Sequence, residues 1–310
     1  MKTIIVSNRL PFKLITEDKE IKVVPSLGGL VTAAKSVLQG QKKEDSVWIG
    51  CADFSASTLN ENKDRIDLFC DILPIFLEEE LEKKFYNGFA NSVLWPLFHY
   101  FPSYIDYQEE YLEAYITVNE LMADQIVNMM EPNNVVWIHG YHFLLLPDMI
   151  RRKKPDAIIG FFLHIPFPSS ELFRLLPRIC PDYLLKGMVG ADLIGFHTHD
   201  YTVHFLNNVQ LHLGIHHSFS EFQYKNRTIK TGMFPIGIDF DQYHNSYDDP
   251  EVIQIRNEMQ HTYLGKKIIF SVDRLDYTKG VMDRLEGFQL FLEEYPEWKE
   301  KVTFILVVVP

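Results

Sequence analysis

The stretch IIGFFLHIPFPSSELFRLLP, residues 158–177, decides how this chain is read. Its first seven residues are almost wholly apolar, which suits a strand covered on both faces rather than one with a wet side. Pro166 and Pro168 follow and stiffen the loop by fixing φ. Ser169 or Ser170 can then cap a helix. Outward from this strand–turn–helix unit the same alternation recurs. Apolar runs at 4–7, 47–51, 135–139, 158–164, 193–197, 267–272 and 302–309 read as strands, with amphipathic segments between them. Leu30, Ala33, Ala34, Val37 and Leu38 fall on one helical stripe, and 200–213 repeats the pattern with Val203, Phe205, Leu206 and Val209. This predicts an α/β fold with a mostly parallel sheet. The polar turn Tyr224-Lys225-Asn226-Arg227 predicts a hairpin at the sheet edge.

The length of 310 residues suggests two domains at roughly 150 residues each. The polar, turn-rich DFDQYHNSYDDP at 239–250 places the boundary: 1–240 forms one domain and 241–310 opens a second. That second part offers strands at 267–272 and 302–309 with helices at 251–264 and 281–295. Two strands do not make a sheet that buries its own faces, so the second domain is expected to be incomplete.

Composition narrows the function. Thirty Lys and Arg against 42 Asp and Glu give a net charge of −12, which argues against a sequence-blind grip on nucleic acid or anionic lipid. Any bound phosphate must be met by a local cluster of cations. No apolar window reaches the ~18 residues of a membrane span, and the start is too short in apolar residues for a signal-peptide core. Cys51, Cys70 and Cys180 are odd in number and far apart, as expected of buried thiols in a reducing cytoplasm.

The segment RLDYTKGV, 274–281, follows an apolar strand and precedes a helix. Free N–H groups and a helix N-terminus therefore meet Arg274 and Lys279, as a diphosphate clamp would require. The competing reading pairs both cations with Asp273, Asp276 or Asp283. Gly28-Gly29 precedes another helix and lets backbone approach a ligand. Arg9 follows the first strand and His164 ends another, each at the edge where α/β proteins bind ligands. His139 with His142, and His197 with His199, lack the spacing of a zinc motif. The aromatic segment FYNGFANSVLWPLFHY, 85–100, suits sugar faces, although aromatic residues are more often core.

The strings SNRLP (7–11), GGLVTA (28–33), FANSVLWPLFHY (89–100), VWIHGYHFLLLP (136–147), FFLHIPFPSSELFRLLP (161–177), GADLIGFHTHDY (190–201), FPIGID (234–239) and RLDYTKG (274–280) occur in the order seen in trehalose-6-phosphate synthases, and the chain resembles that family from end to end. The resemblance implies a GT-B fold: a Rossmann-like N-terminal domain, here followed by the beginning of a second. It also implies retaining transfer of glucose from a nucleotide sugar, UDP-glucose expected, to glucose 6-phosphate. By resemblance, Gly29, Arg274 and Lys279 hold the donor diphosphate, His164 contacts the donor sugar, and Arg9, Trp48, Tyr86 and Trp95 lie on the acceptor side. The implied chemistry is electrostatic and calls for no cofactor, metal or protein nucleophile. A cytoplasmic enzyme follows, with neither nucleic acid nor membrane as partner and a homo-oligomer compatible with it.

Two departures qualify these expectations. The family reads HDYH where this chain has His139-Gly140-Tyr141-His142, so Gly140 withholds the carboxylate that would bind an acceptor hydroxyl. Family residues that hold the acceptor phosphate and the nucleotide ribose would follow Pro310, so residues 1–310 alone are expected not to turn over substrate. A noncatalytic protein that binds sugar phosphate or a partner, or a synthase with another acceptor such as glycerol 3-phosphate, is the competing reading.

Overall fold

The computed structural model describes residues 2–17, 20–26, 29–38 and 42–309. The chain divides into two compact units, Met1–Ile236 and Gly237–Pro310. The first holds β1 (Thr3–Arg9), β2 (Phe12–Glu17), β3 (Glu20–Pro25), β4 (Ser46–Cys51), β5 (Asp71–Ile75), β6 (Val135–His139), β7 (Ile158–Phe162), β8 (Leu193–Phe196), β9 (His217–Ser218), β10 (Glu221–Tyr224) and β11 (Arg227–Met233). Nine of these form one sheet in the order β5-β4-β1-β6-β7-β8-β11-β10-β9. Neighbours from β5 to β11 run parallel, and the β11–β10–β9 edge is antiparallel with its turn at Lys225 and Asn226. Both turn residues have positive φ, as a two-residue hairpin demands.

Alternation along the strands builds two cores. Ile4, Val6, Val136, Ile138, Ile159, Phe161, Ile194 and Phe196 are buried on one face. Against that face lie the helices Glu109–Met129, Leu146–Lys153, Ile179–Met188 and His199–Leu213, with the segment Lys83–Leu94. Ile5 and Trp48 turn the other way, toward Leu10, Phe12, Ala34 and Leu38, the last two on the helix Gly29–Leu38. Burial on both faces is why β1 and β4 read as unbroken apolar runs. The three cysteines are buried, and burial pushes the thiols of Cys51 and Cys70 up to about 12 and that of Cys180 to about 11.

Some expected boundaries move. The strand expected at 158–164 ends at Phe162; Leu163 N–H still donates to Gly195 O at 3.0 Å, and Leu163 and Ile165 stay buried. The strand expected to reach His197 ends at Phe196. The hairpin β2–β3 and the edge strand β5 come without a clear apolar signal. Within the polar stretch 239–250, Asp239 caps a short helix, Phe240–Asn245.

The parallel strands are bolted at one end by a charged knot. Asp192, just before β8, accepts two hydrogen bonds from Arg151 at 2.7 and 2.8 Å, one from Arg227 at 3.1 Å and one from the Ile159 backbone at 2.8 Å. Both arginines also donate to carbonyls of the 189–191 turn.

The second unit pairs β12 (Lys267–Arg274) with β13 (Val302–Val309) in parallel. The helix Val281–Glu294 crosses between them, and Phe288 meets Phe304 at 5.3 Å. Phe270 remains 60% exposed and Val272 53%, so this two-stranded sheet shows apolar surface on its own account.

Replacing Asp192 by Ala strands two partly buried guanidinium groups and a backbone donor, which should cost about 3 kcal/mol. A urea midpoint that scarcely moves would show that the knot is not what holds these strands in place.

Candidate functional site

Chain order places the site. From β1 the sheet grows one way to β4 and β5, and then resumes on the other side of β1 with β6. Loops leaving the carboxyl ends of β1 and β6 therefore run in opposite directions and open a crevice. Arg9 ends β1, His139 ends β6 and Gly140 follows.

On one side of this crevice a cation lies over stacked rings. The Arg9 guanidinium carbon sits 4.8 Å from the centroid of the Tyr86 ring and its Nη1 donates to Glu82 Oε1 at 2.9 Å. Tyr86 in turn lies nearly parallel to His142, 5.5 Å away with 6° between the planes. Trp95 stands 5.5 Å from Tyr141, whose hydroxyl donates to Asn91 Oδ1 at 2.7 Å. Tyr86 and Trp95 come from the segment 83–95, which is wound as a π-helix over Lys83–Leu94, a form frequent at functional sites. Its Phe85 and Phe89 go to the core, while Tyr86 is left half-buried facing Arg9.

The turn that carries His142 is held from behind. The Tyr115 hydroxyl donates to Tyr141 O at 2.7 Å and accepts from Leu144 N at 3.0 Å, and Asn119 donates to His142 O at 3.1 Å. Gly140 starts the turn with φ 88° and ψ 165°, a region essentially reserved for glycine.

On the other side stand His139, His164 and His197. His139 Nδ1 lies 3.0 Å from His164 Nε2, and the His164 and His197 rings are 5.6 Å apart. His139 and His164 also border an apolar pocket of about 370 Å³, walled by Trp137, Phe162, Phe234 and Leu30. Burial holds His142 down at about 3, with Arg9 adding to it, and His164 at about 4, with His197 adding to it; His139 is likewise held well below the usual range. All three rings are neutral near pH 7, so Arg9 is the full positive charge among these groups.

Arg9, Tyr86, Trp95 and Gly140 thus gather at the crevice, and His164 lies across from them. Trp48 needs correcting. It is 0% exposed, packed edge-on to Phe69 at 6.2 Å, and its indole N–H donates to Ser7 Oγ at 2.9 Å and Arg9 O at 3.2 Å. A sealed ring offers no face to a ligand; Trp48 fixes the end of β1 from below. Gly29 is the first residue of its helix and a side chain there would meet only open space. Gly28 lies outside the described residues. In the second unit Arg274 and Lys279 are both exposed, on either side of a turn in which Asp276 accepts from Thr278 N–H at 2.9 Å. Asp276 Oδ2 is also 3.8 Å from Arg274. Sequence reasoning missed Glu82 as part of this crevice, took Asn91 only as a member of the aromatic segment 85–100, and weighed His139 and His142 only as metal candidates. For His139, its place at the end of an apolar strand was the available signal.

A doubly covered parallel sheet with a cation, aromatic planes and neutral histidines at its switch point is a Rossmann-like arrangement. Residues 1–310 match the description of glycosyltransferase family 20 throughout, and the chain belongs to that family. It is 39% identical over 312 residues to the alpha,alpha-trehalose-phosphate synthase [UDP-forming] A of Dictyostelium discoideum, covering 100% of this chain and 42% of that protein. The N-terminal domain of a Candida albicans trehalose-6-phosphate phosphatase superposes with a TM-score of 0.85 at 32% identity, over 99% of this chain and 64% of that one. The Escherichia coli trehalose-6-phosphate protein bound to UDP-2-fluoro glucose gives 0.82 at 28%, over 99% and 64%.

Because the unfolded chain protonates its histidines near 6.5 while these folded rings resist until about 4 or about 3, the unfolded state binds more protons in between. Stability present above that window is therefore lost as pH falls through it, by up to about 1.4 kcal/mol per pH unit for each histidine. Denaturant midpoints should drop between about pH 7 and about pH 5, above the range in which carboxylates ordinarily titrate. A flat profile there would mean the rings are solvated.

Proposed function

We propose that this chain is the acceptor-side domain and donor-diphosphate element of a retaining glucosyltransferase, moving glucose from UDP-glucose to glucose 6-phosphate to give trehalose 6-phosphate. The observation that carries this reading is the Arg9–Tyr86–His142 stack beside Trp95: one cation for a phosphate, aromatic planes for a pyranose, and no competing positive charge among the neighbouring neutral rings. The named activity of the Dictyostelium relative and the ligand of the Escherichia coli protein support it.

In the transfer, the bond from the anomeric carbon to the diphosphate breaks and one to the acceptor hydroxyl forms on the same face. The acceptor's proton passes to a leaving phosphate oxygen. Charge growing on that diphosphate is met by Arg274, Lys279 and backbone donors, a fixed electrostatic arrangement. His164, kept neutral, donates to or accepts from a sugar hydroxyl without adding charge.

Binding separates the two halves of the proposal. Glucose 6-phosphate should bind and lose affinity in Arg9→Ala. UDP-glucose should bind about 10 to 150-fold more weakly in Arg274→Ala and Lys279→Ala, the effect of one charge-assisted contact. Calorimetric titration reads both, and wild-type protein that takes up neither ligand would overturn the reading.

Gly140 favours a second reading, in which another acceptor or none is used. No side chain from position 140 reaches the crevice, and the Candida albicans domain of matching fold belongs to a protein named as a phosphatase. Gly140→Asp places a carboxylate near His142 Nδ1, with room for its Cβ at 3.7 Å, but at a backbone cost of about 1 to 3 kcal/mol. Glucose 6-phosphate affinity should rise as thermal stability falls. If affinity stays level while the variant folds, a different acceptor is favoured.

A further inference from the structure

The contact between His139 and His164 carries an inference of its own. Two neutral imidazoles whose nitrogens lie 3.0 Å apart share one proton, so only two arrangements are open to them. In the first, His139 Nδ1–H donates to His164 Nε2, leaving His139 Nε2 as a bare lone pair and His164 with its proton on Nδ1. In the second, His164 Nε2–H donates to His139 Nδ1, and His139 then carries its proton on Nε2.

What separates them is the far side of His139. The residue is 2% exposed, and its Nε2 is sealed from solvent without a hydrogen-bond partner among the described residues. The neighbouring rings are Trp137, with centroids 4.4 Å apart, and Phe162 at 6.4 Å. Aromatic faces are weak acceptors at best. An N–H aimed into such surroundings is stranded, and orphaned buried donors are rarer than orphaned acceptors. The first arrangement avoids that cost.

We propose that His139 is a positioning residue that fixes His164 in the Nδ1–H tautomer, so that Nδ1 is the donor His164 offers to a ligand. His139 can do so because it ends β6 while His164 follows β7, and the Ile138–Phe161 and His139–Phe162 pairings hold those backbones in register. The consequence for sugar transfer rests on the reading of His164 given above, whereas the tautomer stands without it.

Long-range nitrogen–proton NMR on the ¹⁵N-labelled chain near neutral pH distinguishes protonated from bare ring nitrogens, with His164 assigned by its loss in His164→Ala. His164 should show a protonated Nδ1 and a bare Nε2. Asparagine places its amide nitrogen where Nδ1 of histidine sits, so His139→Asn should keep that pattern. His139→Leu should release it toward the Nε2–H form that free imidazole prefers. A protonated Nε2 on His164 in the unsubstituted protein overturns the proposal at once, even if the leucine variant does not fold, and so does an unchanged His164 in a folded leucine variant. Neither result depends on whether the protein binds UDP-glucose, so failure here leaves the functional reading to its own titrations.

Discussion

Everything functional in the first unit hangs on one strand being paired on both edges. Thr3 to Val6 lie in register with Ser46 to Ile49 on one side and with Val135 to Ile138 on the other. That double ladder leaves β1 no exposed edge, and it puts Arg9, Cys51 and His139 at one rim. Beyond Val6 the register with β4 shifts, so Arg9 pairs with Cys51 and the strand bends as it ends. The indole of Trp48 holds that bend by donating to both Ser7 and the Arg9 carbonyl. Arg9 is therefore delivered to the crevice by backbone geometry, and only its tip is set by Glu82 and Tyr86.

The electrostatics of the rim follow from burial more than from charge count. In a chain of net charge −12 an arginine can easily be neutralised, and here Glu82 does contact it. Yet the rings around it are kept uncharged by desolvation, so no repulsion between neighbouring cations is stored beside Arg9. At the opposite end of the sheet the arrangement is reversed: Arg151 and Arg227 share Asp192, and charge there serves to hold strand ends together.

The parallel strands were legible because burial on both faces writes itself as an unbroken apolar run, and Val135–His139 and Val302–Val309 stand where that signal put them. β5 was not legible: Asp71 and Pro74 dilute DILPI, which an edge strand tolerates and an interior one would not. The helix 240–245 was lost in polar residues that suit an exposed turn equally well. At the site, motif and strand position pointed to Arg9, Tyr86, Trp95 and His164. They failed at Trp48, since a motif match does not say which face of a strand a residue occupies. Alternation would have done so, because Trp48 lies between Val47 and Ile49, which face the opposite core. Glu82 was invisible and the stacking of His142 unforeseen for another reason: their partners are distant in sequence, and nothing local marks a ring that will stack or a carboxylate that will pair.

The four tryptophans are distributed so that the protein carries its own optical labels. Trp48 is sealed in one core, and Trp137 lines the apolar pocket beside His139. Trp298 packs 6.3 Å from Phe291 in the second unit. Trp95 alone of the four lies at the aromatic side of the crevice, with the His99 ring only 3.9 Å from its own. Its emission is therefore open to perturbation by that neighbouring ring, while Trp48 and Trp298 report on two separately packed regions. Single-tryptophan versions of the chain would separate events at the crevice from loosening of either unit, using light alone and no added dye.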